Sequence, residues 1–297
     1  MKKKNLILVT GGAGFIGSNL IELLIKKTKC EIISLDNYEY GSKKNEIKNK
    51  RVKYFLGDTK DISKILFKYK KKISVIFHFG EYARIHQSFK SYNECFSSNV
   101  NGTSEVLNFC LKNKIKIIYS ATSASLGNKG EDQYLSPYAF TKSKNLRMII
   151  QLNKWFGLSY EILYFYNVYG KRQISKGSMA TVIGIFENNL KRNLPMPVVK
   201  PGNQSRKFTH IDDTTNGCLI AWKKNKNRHY SLANSQSYKI LKVAKLFSDK
   251  ITFLKPRLGE RNKSVVINKV FNKKVYKLDC RLSLKDYILE FKRKIKI

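Results

Sequence analysis

The sequence predicts an α/β protein in which a doubly wound parallel sheet is followed by a smaller C-terminal α/β lobe. Apolar runs bounded by turns recur through the first half of the chain, and helix-length amphipathic stretches lie between most of them. Strands that alternate with helices in this way form a parallel sheet with helices on both faces. After about residue 170 the segments become shorter, and Pro195, Pro197, Pro201 and Gly202 interrupt them. We therefore predict a larger domain over residues 1–170 and a smaller lobe over residues 171–297.

The elements of the first domain follow from these runs. The predicted strands cover residues 6–9, 31–35, 52–56, 75–79 and 115–119. Helices are expected over residues 18–27 and 100–113, and a final basic helix is expected beyond Arg281. The chain begins like a signal peptide, but its apolar run is too short and leads directly into a glycine loop, so we interpret it as the first strand.

Length and composition indicate a folded cytoplasmic protein. A chain of 297 residues with 42% hydrophobic residues can bury a substantial core. No apolar run approaches the ~20 residues that span a bilayer. The five cysteines are dispersed without metal-ligand spacing, which predicts free thiols in a reducing compartment and no metal site.

The net charge of +37 is the most unusual bulk property of the chain. Such a charge can indicate a nucleic-acid partner. Only 11 of the 58 basic residues are arginine, however, and the lysines are spread along the whole sequence. We interpret the charge as a solvated lysine coat without a specific nucleic-acid partner. Attraction toward an anionic substrate, an anionic membrane or adventitious nucleic acid is the alternative.

A glycine loop follows the first predicted strand and opens the first helix. In this loop Gly11 can make the turn, Gly14 lets the backbone approach a phosphate, and Gly17 lets the helix pack against the sheet. The helix N-terminus, which includes Phe15 and Ile16, then presents free N–H groups and a positive dipole end to a pyrophosphate. The loop predicts a Rossmann dinucleotide site.

The second predicted strand ends in an acidic residue at the spacing that this site requires. Asp36 lies ~20 residues after the last glycine, where it can accept hydrogen bonds from the adenosine ribose. Its charge would repel a 2′-phosphate, and Glu39 adds to that repulsion. We therefore predict NAD rather than NADP as the cofactor, with Asn37 beside it.

Two further strand ends are expected to line the cofactor. Asp58 and Thr59 follow the third strand and are expected near the adenine. Phe79 and Gly80 follow the fourth. His78 is interpreted as a packed residue at the strand end rather than as a catalyst.

A tyrosine and a lysine lie one turn apart on a predicted helix. Ser136 is typical of an N-cap and Pro137 of a first helical residue, which places Tyr138 and Lys142 on one face. A free phenol has a pKa of ~10, too high for a base at neutral pH. The ammonium, the helix N-terminus and a positive nicotinamide would each lower that pKa. A hydroxyl from the preceding strand end could bind the same substrate oxygen.

Together these motifs make the chain similar to the extended short-chain dehydrogenase/reductases, in particular to NAD-dependent nucleotide-sugar epimerases of the UDP-glucose 4-epimerase type. The resemblance runs nearly end to end, through residues 10–19, 35–37, 57–58, 78–88, 99–103, 138–142, 165–170, 206–213 and 256–260.

The resemblance implies several roles. Thr122 matches the family's catalytic Ser/Thr, and Asn99 matches a cofactor-binding position. Asn167, Arg206 and Arg257 match positions that hold the nucleotide diphosphate. The first domain would bind NAD and the second lobe the nucleotide sugar. The family also forms homodimers through helices that correspond to residues 92–112 and 137–156.

Some residues depart from the family's pattern. The departures are Leu126, Tyr164, Lys171 and Lys207, which replace a usual tyrosine, arginine, proline and acidic residue. Glu81 and Arg84 are unusually polar for their loop. They could pair with each other or contact the sugar, and both are included among the predicted substrate-binding residues.

The residues after Thr122 discriminate between reactions in this family. The 4,6-dehydratases carry an Asp-Glu pair there, and the sugar-acid decarboxylases carry a carboxylate in the same stretch. This chain has Ser123-Ala124. The resemblance therefore favours epimerisation at C4 of a UDP-hexose through a transient 4-keto sugar.

Two alternatives stay open. Residues 176–180 resemble a segment of ADP-heptose 6-epimerases in which the residue matching Lys176 is a second catalytic base. In the C4 interpretation the same segment, with Lys176, Ser178 and Met179, lies over the nucleotide base. The second alternative is a Rossmann regulator without turnover.

Overall fold

The computed structural model describes residues 5–125, 128–263 and 266–295. The first four residues of the signal-peptide comparison and the departure at Leu126 lie outside these ranges. The strands, in chain order, are β1 (Leu6–Thr10), β2 (Glu31–Asp36), β3 (Val52–Leu56), β4 (Ile73–His78), β5 (Lys116–Thr122), β6 (Tyr160–Phe165), β7 (Asn167–Tyr169), β8 (Met196–Val199), β9 (Ser205–His210), β10 (His229–Ser231), β11 (Ser237–Lys239), β12 (Ile251–Leu254), β13 (Lys269–Val270) and β14 (Lys273–Lys277). The helices are α1 (Phe15–Lys27), α2 (Ile62–Ile65), α3 (Tyr92–Phe96), α4 (Thr103–Asn113), α5 (Pro137–Phe156), α6 (Val182–Lys191), α7 (Ile211–Lys224), α8 (Ile240–Phe247) and α9 (Leu284–Lys294).

The main sheet has nine strands in the order β3-β2-β1-β4-β5-β6-β10-β14-β13. All neighbours pair in parallel except β13 and β14. The strands are buried because helices cover both faces: one apolar cluster lies on the face with α4 and α5, and the other on the face with α1 and α7. The predicted α/β fold with a Rossmann sheet is confirmed.

Short strands and helices of the C-terminal half form a second layer with a core of its own. The sheet β11-β9-β7 and the pair β12-β8 pack with α6, α8 and α9. The chain also returns to the large sheet, which takes β10, β13 and β14 from beyond residue 170. The division at that residue stays a prediction, and three strands of the large sheet come from its C-terminal side.

Several local predictions agree with the elements. The Ser136 hydroxyl accepts a hydrogen bond from the Ala139 N–H at 3.1 Å, and Pro137 opens α5. The final basic helix is α9. The predicted helix over residues 100–113 is α4 preceded by a π-helical turn at Ser97–Gly102. No helix within the described residues is both long and apolar enough to cross a membrane.

Candidate active site

A cavity of about 490 Å³ opens at the carboxyl ends of the parallel strands. Such an edge is where ligands bind in doubly wound sheets. Most of the predicted site residues line it: Gly11, Gly14, Phe15, Ile16, Gly17, Asp36, Asn37, Asp58, Thr59, Phe79, Gly80, Glu81, Arg84, Thr122, Tyr138, Lys142, Asn167 and Met179. Five predicted residues are not part of its lining in the described structure: Asn99, Lys176, Ser178, Arg206 and Arg257.

The glycine loop is built for a close approach of backbone to backbone. Gly11 has a positive φ of 69°, and a Cβ there would lie 2.8 Å from the Phe79 carbonyl carbon. A Cβ at Gly17 would lie 2.1 Å from the Gly11 carbonyl oxygen. Helix α1 begins at Phe15, so its first N–H groups face the cavity. The loop fits a dinucleotide pyrophosphate.

Asp36 lies at the end of β2, beside the glycine loop. Its carboxylate accepts hydrogen bonds from the Ala13 N–H at 2.9 Å and the Tyr38 N–H at 2.8 Å. Burial raises the pKa of Asp36, while these N–H groups lower it.

The carboxyl groups of Glu39 and Glu94 are hydrogen-bonded to each other. Their shared hydrogen bond is the main cause that raises the pKa of Glu39 to about 7. Glu39 is therefore only partly charged at neutral pH, and the charge that disfavours a 2′-phosphate comes mainly from Asp36.

Asn99 serves the protein rather than the cavity. Its side chain is fully buried; the amide oxygen accepts the Tyr82 N–H at 2.7 Å, and the amide nitrogen donates to Thr141 Oγ1 at 3.1 Å. The cofactor contact of Asn99 stays a prediction. His78 is buried between Thr10 and Thr103, and burial lowers its pKa to about 4, which agrees with its interpretation as a packed residue.

Thr122, Tyr138 and Lys142 meet at the cavity wall. Thr122 ends β5 and makes a side-chain hydrogen bond with Tyr138 on α5. Burial raises the pKa of Tyr138 to about 12, although the Thr122 hydrogen bond lowers it. The Lys142 ammonium is paired with Glu81, and the expectation that it makes this phenol acidic stays a prediction.

Glu81 and Arg84 do not form the pair considered from the sequence. Glu81 Oε2 accepts a hydrogen bond from Lys142 Nζ at 2.5 Å, whereas Arg84 donates to the Met179 carbonyl. The Glu81 carboxylate also has donors on Oε1, so the predicted sugar contact of Glu81 is not favoured. Arg84 lies close enough to Tyr138 to affect its pKa electrostatically, and its contact with substrate stays a prediction.

The predicted diphosphate residues are distributed unevenly. Asn167 lines the cavity and donates to the Lys207 carbonyl at 2.9 Å. Arg206 is largely buried and lies 3.6 Å from Glu260, whereas Arg257 is exposed. Burial, with the nearby Arg261, lowers the pKa of Arg206 to about 10.

Arg261 is a cavity residue that the sequence analysis missed. Its Nη1 donates to the Ser123 carbonyl at 2.9 Å and lies 3.4 Å from Asp132, while its buried Nε has no partner among the described residues. Two guanidinium groups close together in a buried place are suited to an anion with several oxygens. The predicted run stops at Glu260, the residue before Arg261, and no motif singled out the next position.

The segment that matches ADP-heptose 6-epimerases faces mostly outward. Lys176 and Ser178 are exposed, whereas Met179 is buried and lines the cavity. The expected position of Lys176 and Ser178 over a nucleotide is therefore not seen in this arrangement.

Comparison with known proteins shows which family the chain is similar to. The model of the NAD dependent epimerase/dehydratase family matches residues 7–233. A Methanocaldococcus jannaschii protein named "Putative UDP-glucose 4-epimerase" is 32% identical, with 86% of this chain and 87% of that protein covered. The ADP-L-glycero-D-manno-heptose-6-epimerase of Brachyspira hyodysenteriae is 31% identical over 70% of this chain and 69% of that enzyme.

Solved structures share the fold over almost the whole chain. The UDP-glucose 4-epimerase of Thermotoga maritima, determined with UDP-glucose, superposes with a TM-score of 0.85. The match covers 98% of this chain and 100% of that chain at 24% identity. At this identity the likeness bears on the fold.

Proposed function

This chain belongs to the NAD dependent epimerase/dehydratase family as an NAD-dependent nucleotide-sugar epimerase, and we propose that it inverts C4 of a UDP-hexose through a transient 4-keto sugar. The observation that carries the proposal is the meeting of Thr122, Tyr138 and Lys142 beside the glycine loop. A dehydratase of this family would also carry acidic residues directly after Thr122, where this chain has Ser123 and Ala124.

Each residue has a step in the proposed reaction. NAD, held by the glycine loop and Asp36, would supply reversible hydride transfer at C4, so that the hydride could return to the other face of the same carbon. Tyr138, as phenolate, takes the proton of the C4 hydroxyl and later returns it. Thr122 donates a hydrogen bond to the same oxygen, and the Lys142 ammonium stabilises the phenolate.

The sugar must turn over between the two hydride transfers while its nucleotide stays bound. We assign the diphosphate to Arg206, with Arg261 beside it and Asn167 on the cavity wall. The nearby placement of two buried guanidinium groups supports this assignment. The exposed Arg257 would have to move inward to take part.

Two observations weigh against the alternative functions, a 6-epimerase and a regulator without turnover. The exposed Lys176 does not line the cavity in the described structure, so it is poorly placed as a second base for a 6-epimerase. The catalytic residues meet in an open cavity, which does not favour a regulator that has lost turnover.

The experiment is incubation of the purified protein with UDP-glucose, UDP-N-acetylglucosamine and ADP-heptose in separate samples, with products identified by NMR. We expect a C4 epimer from at least one UDP sugar without added cofactor. Conversion of ADP-heptose alone would replace this proposal with the 6-epimerase.

A further inference from the structure

The structure holds a buried carboxylate directly behind the catalytic lysine. The side chains of Glu81 and Lys142 are 3% and 5% exposed, and their charged atoms are 2.5 Å apart. An unpaired charge in this position would be costly, so each group depends on the other. Building on the proposed function, we propose that Glu81 is a positioning residue of the reaction: its carboxylate anchors the Lys142 ammonium beside Tyr138 and balances its charge.

Three donors hold the other oxygen of the carboxylate. Glu81 Oε1 accepts hydrogen bonds from Thr103 Oγ1, Tyr119 OH and Asn145 Nδ2, each at 3.0 Å. These donors come from α4, β5 and α5, so the carboxylate is fixed by three elements at once. Together with Lys142, these donors satisfy both oxygens of the buried carboxylate.

The network continues to the glycine loop. Because Thr103 donates its hydroxyl proton to Glu81, it accepts from His78 Nε2 at 3.0 Å. His78 Nδ1 then accepts from Thr10 Oγ1 at 2.7 Å, and Thr10 Oγ1 accepts the N–H groups of Phe79 and Gly80. The backbone around the dinucleotide loop and the catalytic lysine are thus joined by one chain of hydrogen bonds.

Lys142 is held on two further sides. Its ammonium donates to the Ser120 carbonyl and lies 4.3 Å from the centroid of the Tyr119 ring. Among the described residues, two of its three N–H donors are therefore used by Glu81 and Ser120. The third is the one that can reach a substrate-side or cofactor-side partner.

The charge of Glu81 acts on both catalytic groups in the same direction. Burial is the main cause that lowers the pKa of Lys142, and Glu81 opposes it. Burial is also the main cause that raises the pKa of Tyr138, and there Glu81 adds to it. Removing the negative charge should therefore lower both pKa values. The other titratable groups that act on Glu81, Lys142 or Tyr138 are His78, Tyr119, Cys95, Arg84 and Arg261.

The test compares Glu81→Gln with the wild type over a range of pH. In the proposed reaction, Tyr138 would set the acid limb of the rate profile for UDP-glucose and Lys142 the alkaline limb. We expect both limbs to move to lower pH by about one unit, since a charge within a few ångströms shifts a pKa by that order. Glu81→Asp keeps the negative charge, but its shorter side chain does not reach Lys142 as closely. Only the alkaline limb of its rate profile should therefore move. This variant replaces Glu81→Gln in the test if Glu81→Gln does not fold.

A second readout does not depend on turnover. Ultraviolet difference spectra between each protein and its Tyr138→Phe counterpart, both loaded with NAD, report ionisation of that one phenol. In Glu81→Gln its midpoint should fall by about one unit. If neither UDP-glucose nor UDP-N-acetylglucosamine is a substrate, the proposed reaction fails while this titration still decides the role of Glu81.

Glu161→Gln is the matched control. Glu161 is also fully buried and pairs with a lysine, Lys116, at 2.9 Å, but the pair lies where β5 and β6 begin, away from the cavity. We expect it to lower the thermal stability without moving the profile or the titration. If Glu81→Gln folds and keeps both wild-type limbs of the rate profile and the wild-type midpoint of the Tyr138 titration, the proposal is overturned. If only Glu81→Asp folds, a wild-type alkaline limb in that variant overturns it.

Discussion

Tyr138 needs more positive charge nearby than Arg84 supplies if its phenol is to act as the proposed base. Burial raises the pKa of its phenol to about 12, and the ammonium one helical turn away is balanced by Glu81. The positive nicotinamide of bound NAD would add to the effects of Arg84 and the Thr122 hydrogen bond, which also lower the pKa of this phenol. Each pKa unit of lowering corresponds to ~1.4 kcal/mol.

The first prediction concerns this hydroxyl. Tyr138→Phe should lower turnover of UDP-glucose by ~10²–10⁴-fold, because the general base is lost. The affinity for UDP should change little, since the phenol is not assigned to the diphosphate. Steady-state kinetics and calorimetry measure the two quantities, with the exposed Tyr134 changed to Phe as the control. Turnover at the control's level would mean that another group is the base.

A second residue prediction concerns the diphosphate. Arg206→Ala should weaken UDP binding by roughly ten- to 150-fold, the equivalent of losing a charge-assisted hydrogen bond worth ~1.5–3 kcal/mol. Arg192→Ala removes an exposed arginine and should have no such effect. Calorimetry at two salt concentrations separates a direct contact from the general lysine field. Equal affinity of Arg206→Ala and wild type at both concentrations would remove Arg206 from the site.

The sequence could reveal the site residues that belong to a local motif with a fixed spacing. Gly11, Gly17 and Asp36 belong to a motif whose spacing follows from the geometry of a strand, a turn and a helix. Glu81 and Arg261 could not be assigned in this way. Their partners, Lys142 and Ser123, lie far away in the sequence, and no local pattern records such a contact.

At the scale of elements, predictions succeeded where the hydrophobic period is long and regular. The five predicted strands and α5 match observed elements to within a few residues. β10 and β13 have only three and two residues, too few to show a period, so their return to the main sheet was not predicted. The π-helical turn before α4 also has no signal in the apolar pattern.

The loop after β2 and helix α3 are joined by a carboxyl pair, which gives a pH prediction. The pKa of Glu39 is raised to about 7 in the fold, while the same hydrogen bond lowers the pKa of Glu94, so between about pH 4.5 and 7 Glu39 itself is more protonated in the native state than in the unfolded chain. Stability contributed by protonated Glu39 is therefore lost as the pH rises through this window. Glu39→Gln should be more stable than wild type at pH 8, with little difference at pH 5.

The gain should be no more than ~1 kcal/mol, because Glu39 is largely exposed and solvent screens the pair. Urea unfolding at the two pH values measures it. An advantage of the same size at pH 5 and pH 8 would mean that the carboxyl pair does not titrate in this window.

At the scale of the whole molecule, helices α3 and α5 both carry exposed aromatic side chains. Tyr92 and Phe96 on α3 and Trp155 and Phe156 on α5 are exposed, and Phe96 stacks on Phe140 at 6.2 Å. An apolar helical surface of this kind suits a second copy of the chain.

We therefore predict a homodimer through residues 92–112 and 137–156, which include α3, most of α4 and α5. Light scattering at micromolar concentration should give twice the mass of the chain. Phe96→Lys should shift the protein toward monomer, because a charge would be buried in the interface, whereas Phe67→Lys, at another exposed phenylalanine, should not. A wild-type protein that is only monomeric under these conditions would contradict the prediction.

The central claim is that hydride leaves C4 and returns to C4. UDP-glucose carrying deuterium at C4, incubated with the protein in ordinary water, tests this directly by NMR of the products. We predict UDP-galactose with the deuterium still at C4, because the same carbon receives the same hydride. Deuterium found at C6 of a 4-keto-6-deoxy sugar, or recovery of UDP-glucose with no inversion at C4, would contradict it.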